Sequence, residues 1–200
     1  MTDLFKEKAQ DWDANEMVKG LSLGVGAAIQ ANLTLDNTMT VMDFGAGTGL
    51  ITSQIADRVK KVVAVDVSQA MLDKLMSKEE LHGKVESLCR NILEIPLPDR
   101  FDLIVSAMAM HHVDDTNRLI ACFAEHLKPN GKIALADLDQ EDGSFHPADI
   151  EGVYHNGFSR EALQSMLRQH GFKEIRFTTA HTVIKGDKSY PVFLVVATRA

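Results

Sequence analysis

The chain has 200 residues, of which 45% are apolar and 24% are charged, and its formal net charge is −7. This length fits one domain, and the negative charge argues against a nucleic-acid partner, because neutralising phosphates requires clustered lysine and arginine. The polar N-terminus does not resemble a secretory signal, and no apolar run reaches the roughly 18 residues of a membrane span. Cys89 and Cys122 lack Cys-x-x-Cys spacing, so we expect reduced thiols in a cytoplasmic protein that binds neither nucleic acid nor membranes.

Apolar strand-like segments alternate with helical patterns along the chain. Ser68, Asp114 or Asp115, and Ser159 are suitable N-caps for three of the helices. Residues 128–131, KPNG, predict a turn before the fifth strand. The predicted strands are 40–44, 61–67, 84–91, 101–109, 132–138, 173–184 and 190–199. The predicted helices are 50–59, 69–80, 116–127 and 160–170.

Strands that are apolar on both faces and separated by helices predict a buried parallel sheet with helices on each side. The last two strands have no helix between them and can pair as a hairpin. We therefore predict an α/β fold: a doubly wound, Rossmann-like, seven-stranded, mostly parallel sheet with one antiparallel strand near the edge. In such sheets the ligand lies beyond the carboxyl ends of the strands, so the residues after each strand are the candidate site.

The first strand is followed by a glycine-rich turn into a helix, within VMDFGAGTGL at 41–50. Such a turn lets a ligand approach the main chain, although a tight turn without a ligand is the alternative. A dinucleotide fingerprint needs glycine where Leu50 stands, and no Gly-Lys-Ser/Thr follows for a phosphate loop. Asp43 ahead of the turn suits a ligand with an amino group and would repel a pyrophosphate. We call Gly45, Ala46, Gly47, Thr48 and Gly49 the glycine loop.

Polar residues also follow the next three strands. Asp66, at the end of the second strand, can accept two hydrogen bonds from a ribose diol, or can be a simple cap or surface acid. Asn91 and Ile92 follow the third strand and could contact the edge and face of an adenine, or form a plain loop. His111 and His112 follow the fourth strand, where they either serve catalysis or line the turn before the next helix.

Four motifs in order, VMDFGAGTG, VVAVDVS, PLPDRFDLIVSAMAMHHV and LKPNGKIALADL, resemble the class I S-adenosylmethionine-dependent methyltransferases. The chain is most similar to their small soluble ubiquinone/menaquinone-methyltransferase-like members, from about residue 8 to the end. The resemblance implies S-adenosyl-L-methionine as cofactor and in-line methyl transfer to a small-molecule acceptor. It also implies one methyltransferase domain over 1–200, with an N-terminal helical cap over the cofactor (1–38) and a Rossmann-like core (39–200).

The resemblance assigns the methionine end of the cofactor to residues after the first and fourth strands. The glycine loop, including Gly45, Gly47 and Gly49, would line the methionine and ribose portions. Asp43 would face the amino group, directly or through water, and Ser106 would contact the methionyl part through its main chain.

The resemblance assigns the adenosine end to another set of residues. Asp66 would hold the ribose hydroxyls, with Val67 and Met71 beside the adenine. Asn91 stands where the family usually has aspartate, and its carbonyl can still pair with an adenine amino group. Trp12 resembles the aromatic residue that covers the cofactor, with a packing role as the alternative.

The acceptor side is predicted to include the loop 137–158, which combines acids, aromatic residues and histidines. Loops of this length in compact domains are often functional. We predict that His146 and His155 reach the acceptor pocket as bases or orienting groups, with His111 as a further catalytic candidate. The alternatives are a solvated acidic loop and a metal site of oxygen and imidazole ligands.

Two rival functions remain open from the sequence. A catalytically silent S-adenosylmethionine-binding or regulatory protein would keep Asp66 and the glycine loop but act on no acceptor. A nicotinamide-dependent oxidoreductase is disfavoured by the glycine spacing and by the lack of a Tyr-x-x-x-Lys pair, because no lysine stands at that spacing after Tyr154.

Overall fold

A computed structural model describes Asp3 and residues 6–147 and 150–200. The strands within it form a single seven-stranded sheet of order β3-β2-β1-β4-β5-β7-β6. All neighbouring pairs are parallel except those of β7, which runs antiparallel to both β5 and β6. This confirms the predicted fold class. The strands are β1 (Thr40–Phe44), β2 (Lys61–Asp66), β3 (Val85–Cys89), β4 (Phe101–Ala107), β5 (Leu127–Leu138), β6 (Phe172–Lys185) and β7 (Lys188–Arg199).

Three of the helices begin at the side-chain caps that the sequence predicts. The side chains of Ser68, Asp115 and Ser159 accept hydrogen bonds from the first-turn amides of α3, α4 and α5. None of the described helices is long and apolar enough to cross a membrane. The helices are α1 (Glu16–Asn32), α2 (Thr52–Ile55), α3 (Gln69–Met76), α4 (Thr116–His126) and α5 (Arg160–Gln169), with 3₁₀ turns at Trp12–Ala14, Ala56–Arg58, Glu79–Leu81 and Met110–His112.

The core has two layers because the central strands bury side chains on both faces. On one face, α1, α2 and α3 pack on alternate strand residues such as Val41 and Val105. On the other, α4 and α5 pack on the residues between them, such as Met42 and Ile104. The centre of this second layer is Phe123, whose ring meets that of Phe44 edge to face at 5.2 Å between centroids.

Two local predictions differ from the structure. The helix expected at 50–59 forms only one α-turn before tightening into a 3₁₀ turn. The turn expected at 128–131 lies inside β5, where these residues bulge out of the pairing: Phe101 pairs with Leu127, but Leu103 pairs with Lys132. The left-handed φ of 59° at Asn130 provides the bend.

The N-terminal segment contributes to both the core and the mouth of the sheet. Residues 1, 2, 4 and 5 of the predicted cap (1–38) lie outside the described residues. Within the described part, α1 packs on β6 and β7, so it completes one core layer. The 3₁₀ turn Trp12–Ala14 instead reaches the glycine loop, where the Thr48 hydroxyl donates to Asp13. If the cofactor binds at the glycine loop as predicted, this turn, and not α1, is the part of the N-terminal segment that would cover it.

Truncating Phe123 to alanine should lower the free energy of unfolding by about 3–5 kcal/mol, because it removes a fully buried ring and leaves a cavity. Leu23→Ala, on the exposed face of α1, is the matched control and should change it by less than about 0.5 kcal/mol. Urea unfolding measures both. Equal losses in the two variants would contradict the two-layer core.

Candidate active site

The strand order brings the polar strand ends together at one edge of the sheet. β1 has β2 on one side and β4 on the other, so the order reverses between β1 and β4. Because all four strands from β2 to β5 run parallel to β1, their carboxyl ends open onto the same edge. The glycine loop, Asp66 and the His111 turn therefore surround the crevice at this switch point, where open α/β sheets bind ligands.

The three glycines of the loop have different surroundings. A β-carbon at Gly45 would lie 2.3 Å from the Cβ of Ala109, and one at Gly49 would lie 2.6 Å from the Leu75 side chain. These two glycines let the loop pack closely against the rest of the protein. A β-carbon at Gly47 would have no neighbour within 4 Å among the described residues, so only here is that part of the loop open on its outer side. Among the three, Gly47 is the residue whose surface can receive a ligand.

Asp66 lies directly beside this opening. Its Oδ2 accepts a hydrogen bond from the amide of Gly47 at 2.8 Å, and its Oδ1 accepts one from the amide of Ser68 at 2.9 Å. Burial raises the pKa of the carboxyl above its usual value, and the amide donors oppose that shift. The next residue, Val67, is 53% exposed and offers an apolar surface at the same mouth.

Asp43 lies beneath the loop and not at its surface. It is 1% exposed and accepts a hydrogen bond from the Thr52 hydroxyl at 2.6 Å. Burial raises the pKa of this carboxyl to about 7, and the nearby charge of Asp66 adds to the shift. A cationic group placed above the loop would favour its ionised form, which fits the predicted ammonium group of the ligand.

The residues predicted to meet the adenine have local roles in this structure. The Asn91 side chain accepts from the amide of Leu93 at 3.1 Å and donates to Glu94 at 3.0 Å, so it caps the turn after β3. Ile92 is fully buried in the core and Met71 is 3% exposed. Of this predicted set, Val67 alone presents a large exposed side chain, and the adenine contacts of the others stay predictions.

The N-terminal 3₁₀ turn is fastened across the crevice by Asp13. This carboxylate accepts from Thr48 of the glycine loop and forms an ion pair with Lys78, after α3, at 2.9 Å. Trp12, the predicted aromatic cover, lies half-buried in the same turn. Asp3 reaches the same region by accepting from Ser68 at 2.9 Å.

A buried hydrogen-bonded pair stands on the opposite side of the crevice. His111, after β4, is 1% exposed, and its Nδ1 lies 2.7 Å from Oδ1 of Asp137 near the end of β5. The His146 ring lies 5.1 Å from the His111 ring, centroid to centroid. Burial lowers the pKa of His146 to about 4, and the neighbouring histidines add to this shift, so its ring is neutral at neutral pH. The structure thus joins His111 and His146, two of the three predicted catalytic residues.

The third candidate, His155, is placed elsewhere. Its Nε2 lies 2.9 Å from the carbonyl oxygen of Val113, 3.1 Å from that of Asp114 and 3.1 Å from the Thr116 hydroxyl. These contacts secure the turn before α4. The His155 amide also donates to the carbonyl of His111 at 3.4 Å, so its backbone contacts the His111 turn while its ring contacts the turn before α4. Its role in the acceptor pocket stays a prediction.

His112 holds a different part of the acceptor loop. Its Nδ1 donates to the carbonyl of Gly152 at 2.6 Å, and burial lowers its pKa to about 4. Within the described part of the chain, no group of three histidine, cysteine or acidic residues is arranged to hold a metal ion. Residues 148 and 149 of the 137–158 loop lie outside the described residues.

Sequence reasoning missed three residues that organise the site. The sequence shows Asp137 as one of several acids in its loop. Its pairing with His111 depends on the register of β4 and β5, which the sequence does not give. Thr52 and Asp13 lie on segments whose sequence carries no ligand motif. The available signal for Asp137 was its position near the end of a strand adjacent to β4, where carboxyl ends converge.

Comparison with known proteins identifies the family. A family model described as a methyltransferase domain matches residues 42–135. An uncharacterised methyltransferase of Geobacillus sp. (strain WCH70) is 34% identical over 160 residues, which cover 72% of this chain and 74% of the relative. The chain belongs to the methyltransferase family.

Two further comparisons agree with this family. The methyltransferase is 32% identical over 147 residues to an uncharacterised methyltransferase of Schizosaccharomyces pombe, covering 65% of the chain and 52% of the relative, so it spans about half of that protein's length. The N-methyltransferase NodS of Bradyrhizobium japonicum, solved with S-adenosyl-L-homocysteine, superposes with a TM-score of 0.73 at 15% identity, covering 98% of this chain and 94% of NodS.

These findings confirm the class I S-adenosylmethionine-dependent methyltransferase predicted from the sequence, with S-adenosyl-L-methionine as its cofactor. The ubiquinone/menaquinone-like subtype stays a prediction. The residues present fit the cofactor, because the open side of Gly47 offers a cradle and the buried hydroxyl of Ser106 has no hydrogen-bond partner among the described residues. Asp66 stands beside that cradle with its carboxylate held by two amides.

The raised pKa of Asp43 should make the stability of the methyltransferase depend on pH. An unfolded aspartate has a pKa of about 3.9, so the folded state binds this proton more tightly. The stabilisation is therefore complete below about pH 4 and is lost as the pH rises through about 7. Between about pH 4 and pH 8, Asp43→Asn should become more stable relative to the wild type, on the order of 3 kcal/mol.

Urea unfolding of both proteins at the two pH values, without cofactor, measures this difference. Asparagine keeps an acceptor for Thr52, so the variant changes the charge and little else. If the two proteins differ in stability by the same amount at both pH values, the pKa of Asp43 is not raised in the folded state.

Proposed function

We propose that this protein is an enzyme that transfers the methyl group of S-adenosyl-L-methionine in line to a small-molecule acceptor. The observation that carries the proposal is the mouth of the crevice, where the open side of Gly47 and the amide-held carboxylate of Asp66 lie next to each other. A nucleoside attached to an amino acid matches this pair, since it has a ribose diol for the carboxylate and no pyrophosphate for Asp66 to repel.

The adenosine end is proposed to lie against Asp66 and Val67. Asp66 keeps free lone pairs after accepting from two amides, so it can also accept from both ribose hydroxyls. Val67 supplies an exposed apolar surface for the base, and Asn91 and Ile92 lie at the neighbouring strand end. Trp12, in the turn fastened by Asp13, is proposed as the cover over this end.

The methionine end is proposed to lie over Gly47, between the glycine loop and Ser106. The buried Asp43 carboxylate beneath the loop is proposed to balance the positive charge of the amino acid, because burial raises its pKa and a nearby cation favours the ionised form. Glycines at 45 and 49 bring Ala109 and Leu75 against the loop, so the crevice is lined closely and excludes water on these sides.

The chemistry that the cofactor supplies is a methyl group on a positively charged sulfur. The chain's contribution is to hold the acceptor lone pair in line with that methyl carbon and to keep water out. The acceptor side is proposed to be formed by the His111 turn after β4 and the 137–158 loop after β5, because both meet the crevice opposite Asp66.

Addition of S-adenosyl-L-homocysteine should raise the melting temperature of the purified chain by several degrees, because a ligand stabilises the state that binds it, by about 2.7 kcal/mol at a hundredfold excess over its Kd. NAD at the same concentration should give no shift. A shift with NAD alone would identify a nicotinamide oxidoreductase. Stabilisation by S-adenosyl-L-homocysteine without methyl transfer to any small molecule would identify a silent cofactor-binding protein.

Gly47→Ala should weaken binding of S-adenosyl-L-homocysteine at least tenfold, because the new methyl group fills the open side of the loop. Gly83→Ala is the matched control, since Gly83 also has a positive φ and no neighbour within 4 Å of a built Cβ. Both variants should lose about 1–2 kcal/mol of stability from backbone strain, while only Gly47→Ala loses affinity. Isothermal titration calorimetry measures the affinities, and equal affinities in the two variants would contradict the cradle.

A further inference from the structure

The His111–Asp137 pair has a defined arrangement of protons. Asp137 accepts three hydrogen bonds, from the His111 amide at 3.2 Å, from His111 Nδ1 at 2.7 Å and from the Leu138 amide at 2.8 Å. Since the carboxylate accepts, Nδ1 of His111 carries the proton, and Nε2 is left with its lone pair. Asp137 thus fixes both the orientation and the tautomer of the ring.

The free nitrogen of this pair has no partner in the described part of the protein. The buried Nε2 of His111 makes no hydrogen bond there, although leaving a buried polar atom without a partner is unfavourable. The buried Nε2 of His146 and Oε1 of Glu141, both on the loop that faces the His111 turn, are also without partners. The two imidazole nitrogens without partners, on rings whose centroids lie 5.1 Å apart, indicate a site that a polar ligand completes.

The charges around the cluster favour an acceptor that becomes an anion. The Lys185 ammonium donates to the carbonyl of Phe145, next to His146, at 2.6 Å and lowers the pKa of His146. Lys8 likewise lowers the pKa of His112, whereas Asp137 raises the pKa of both histidines. Asp137 already shares its oxygens among three donors, and Glu141 faces Lys185 and the amides of Ser144 and Phe145. An ammonium group would be repelled by these lysines, and the oxygens of the acids are already engaged by hydrogen-bond donors. A phenolate or thiolate would be stabilised by the same lysines.

We propose that His111, positioned by Asp137, is the general base for an acceptor that presents a weakly acidic O–H or S–H group. This inference rests on the proposed methyl transfer and names the acceptor class. Of the three histidines predicted to be catalytic, the base is His111, on the turn after β4, and its positioning acid, Asp137, comes from β5. His146 then contributes a second imidazole to the acceptor pocket, and Asp137 acts through His111.

The step is balanced with one proton transfer and one displacement. The proton of the O–H or S–H group passes to Nε2 of His111, giving an imidazolium that Asp137 stabilises. The freed lone pair forms the bond to the methyl carbon, and the electron pair of the broken carbon–sulfur bond goes to the sulfonium sulfur. The products are the methyl ether or thioether, neutral S-adenosyl-L-homocysteine and a proton that the imidazolium returns to solvent.

The tautomer can be read without any substrate. Long-range ¹⁵N–¹H correlation spectra of the full chain loaded with S-adenosyl-L-homocysteine should show His111 protonated at Nδ1 and unprotonated at Nε2. His111→Gln assigns the signal by its disappearance. A proton on Nε2 of His111 in the wild type would overturn the proposal, because that nitrogen could then accept nothing from an acceptor.

Proton removal can be read with chromogenic probes, since 4-nitrophenol and 4-nitrothiophenol change their visible absorption when they ionise. Below the pKa of each free probe, the loaded wild-type chain should ionise the bound phenol or the bound thiol at least tenfold more than the solution does. The two probes distinguish an oxygen from a sulfur acceptor. Ionisation of neither probe by the wild type would overturn the proposal.

Matched variants separate the base from a structural role. His111→Gln and Asp137→Asn should each reduce the ionisation at least tenfold. His82→Gln, at an exposed histidine, and Asp102→Asn, at the acid paired with Lys128 at the start of β4, should retain it. Stabilisation by S-adenosyl-L-homocysteine shows that each variant is folded. If His111→Gln is still stabilised by S-adenosyl-L-homocysteine and its probe ionisation is unchanged, His111 is not the base, but the methyltransferase function stands. If the wild type is not stabilised by S-adenosyl-L-homocysteine, the proposed function itself is rejected.

Discussion

The reversal of strand order between β1 and β4 is the constraint on which the rest of this structure depends. The central strands are buried on both faces, so polar residues are tolerated there mainly where strands end, and the parallel pairing collects those ends at one edge. The glycine loop, Asp66, Asp137 and the His111 turn come from separate parts of the chain and meet only because of this order. The two core layers hold that edge rigid, while the loops above it supply the chemistry.

The crevice is divided between two chemical tasks. On the β2 side, the amides of Gly47 and Ser68 donate to the Asp66 carboxylate, which is proposed to bind a diol. The exposed apolar side chain of Val67 follows it in the chain. On the β5 side, the groups left without partners among the described residues include the imidazole nitrogens of His111 and His146. Of the two buried acids near the centre, Asp43 accepts from the hydroxyl of Thr52 and Asp137 from the imidazole of His111.

Most of the fold and half of the site could be predicted from the sequence. Strand boundaries followed from apolar runs, and caps such as Ser68 follow from local hydrogen bonding alone. The glycine loop was found because its spacing is local too. The role of Asp137 could not be found, because it depends on how β4 and β5 align; the same holds for His155, whose partners lie about forty residues away in the chain. Local sequence also could not tell that Ile92 points into the core.

The fastening of the N-terminal turn has a consequence for turnover. Asp13 joins the glycine loop to the segment after α3 through Thr48 and Lys78, and these two elements form opposite walls of the nucleoside side. If the cofactor binds beneath this turn as proposed, its release requires the hydrogen bond and the ion pair to break. The rate of product release would then depend on breaking the ion pair between Asp13 and Lys78. This rate would rise with ionic strength, because salt screens the attraction between the two charges. The speed of a catalytic cycle can thus be set by residues that never approach the transferred methyl group.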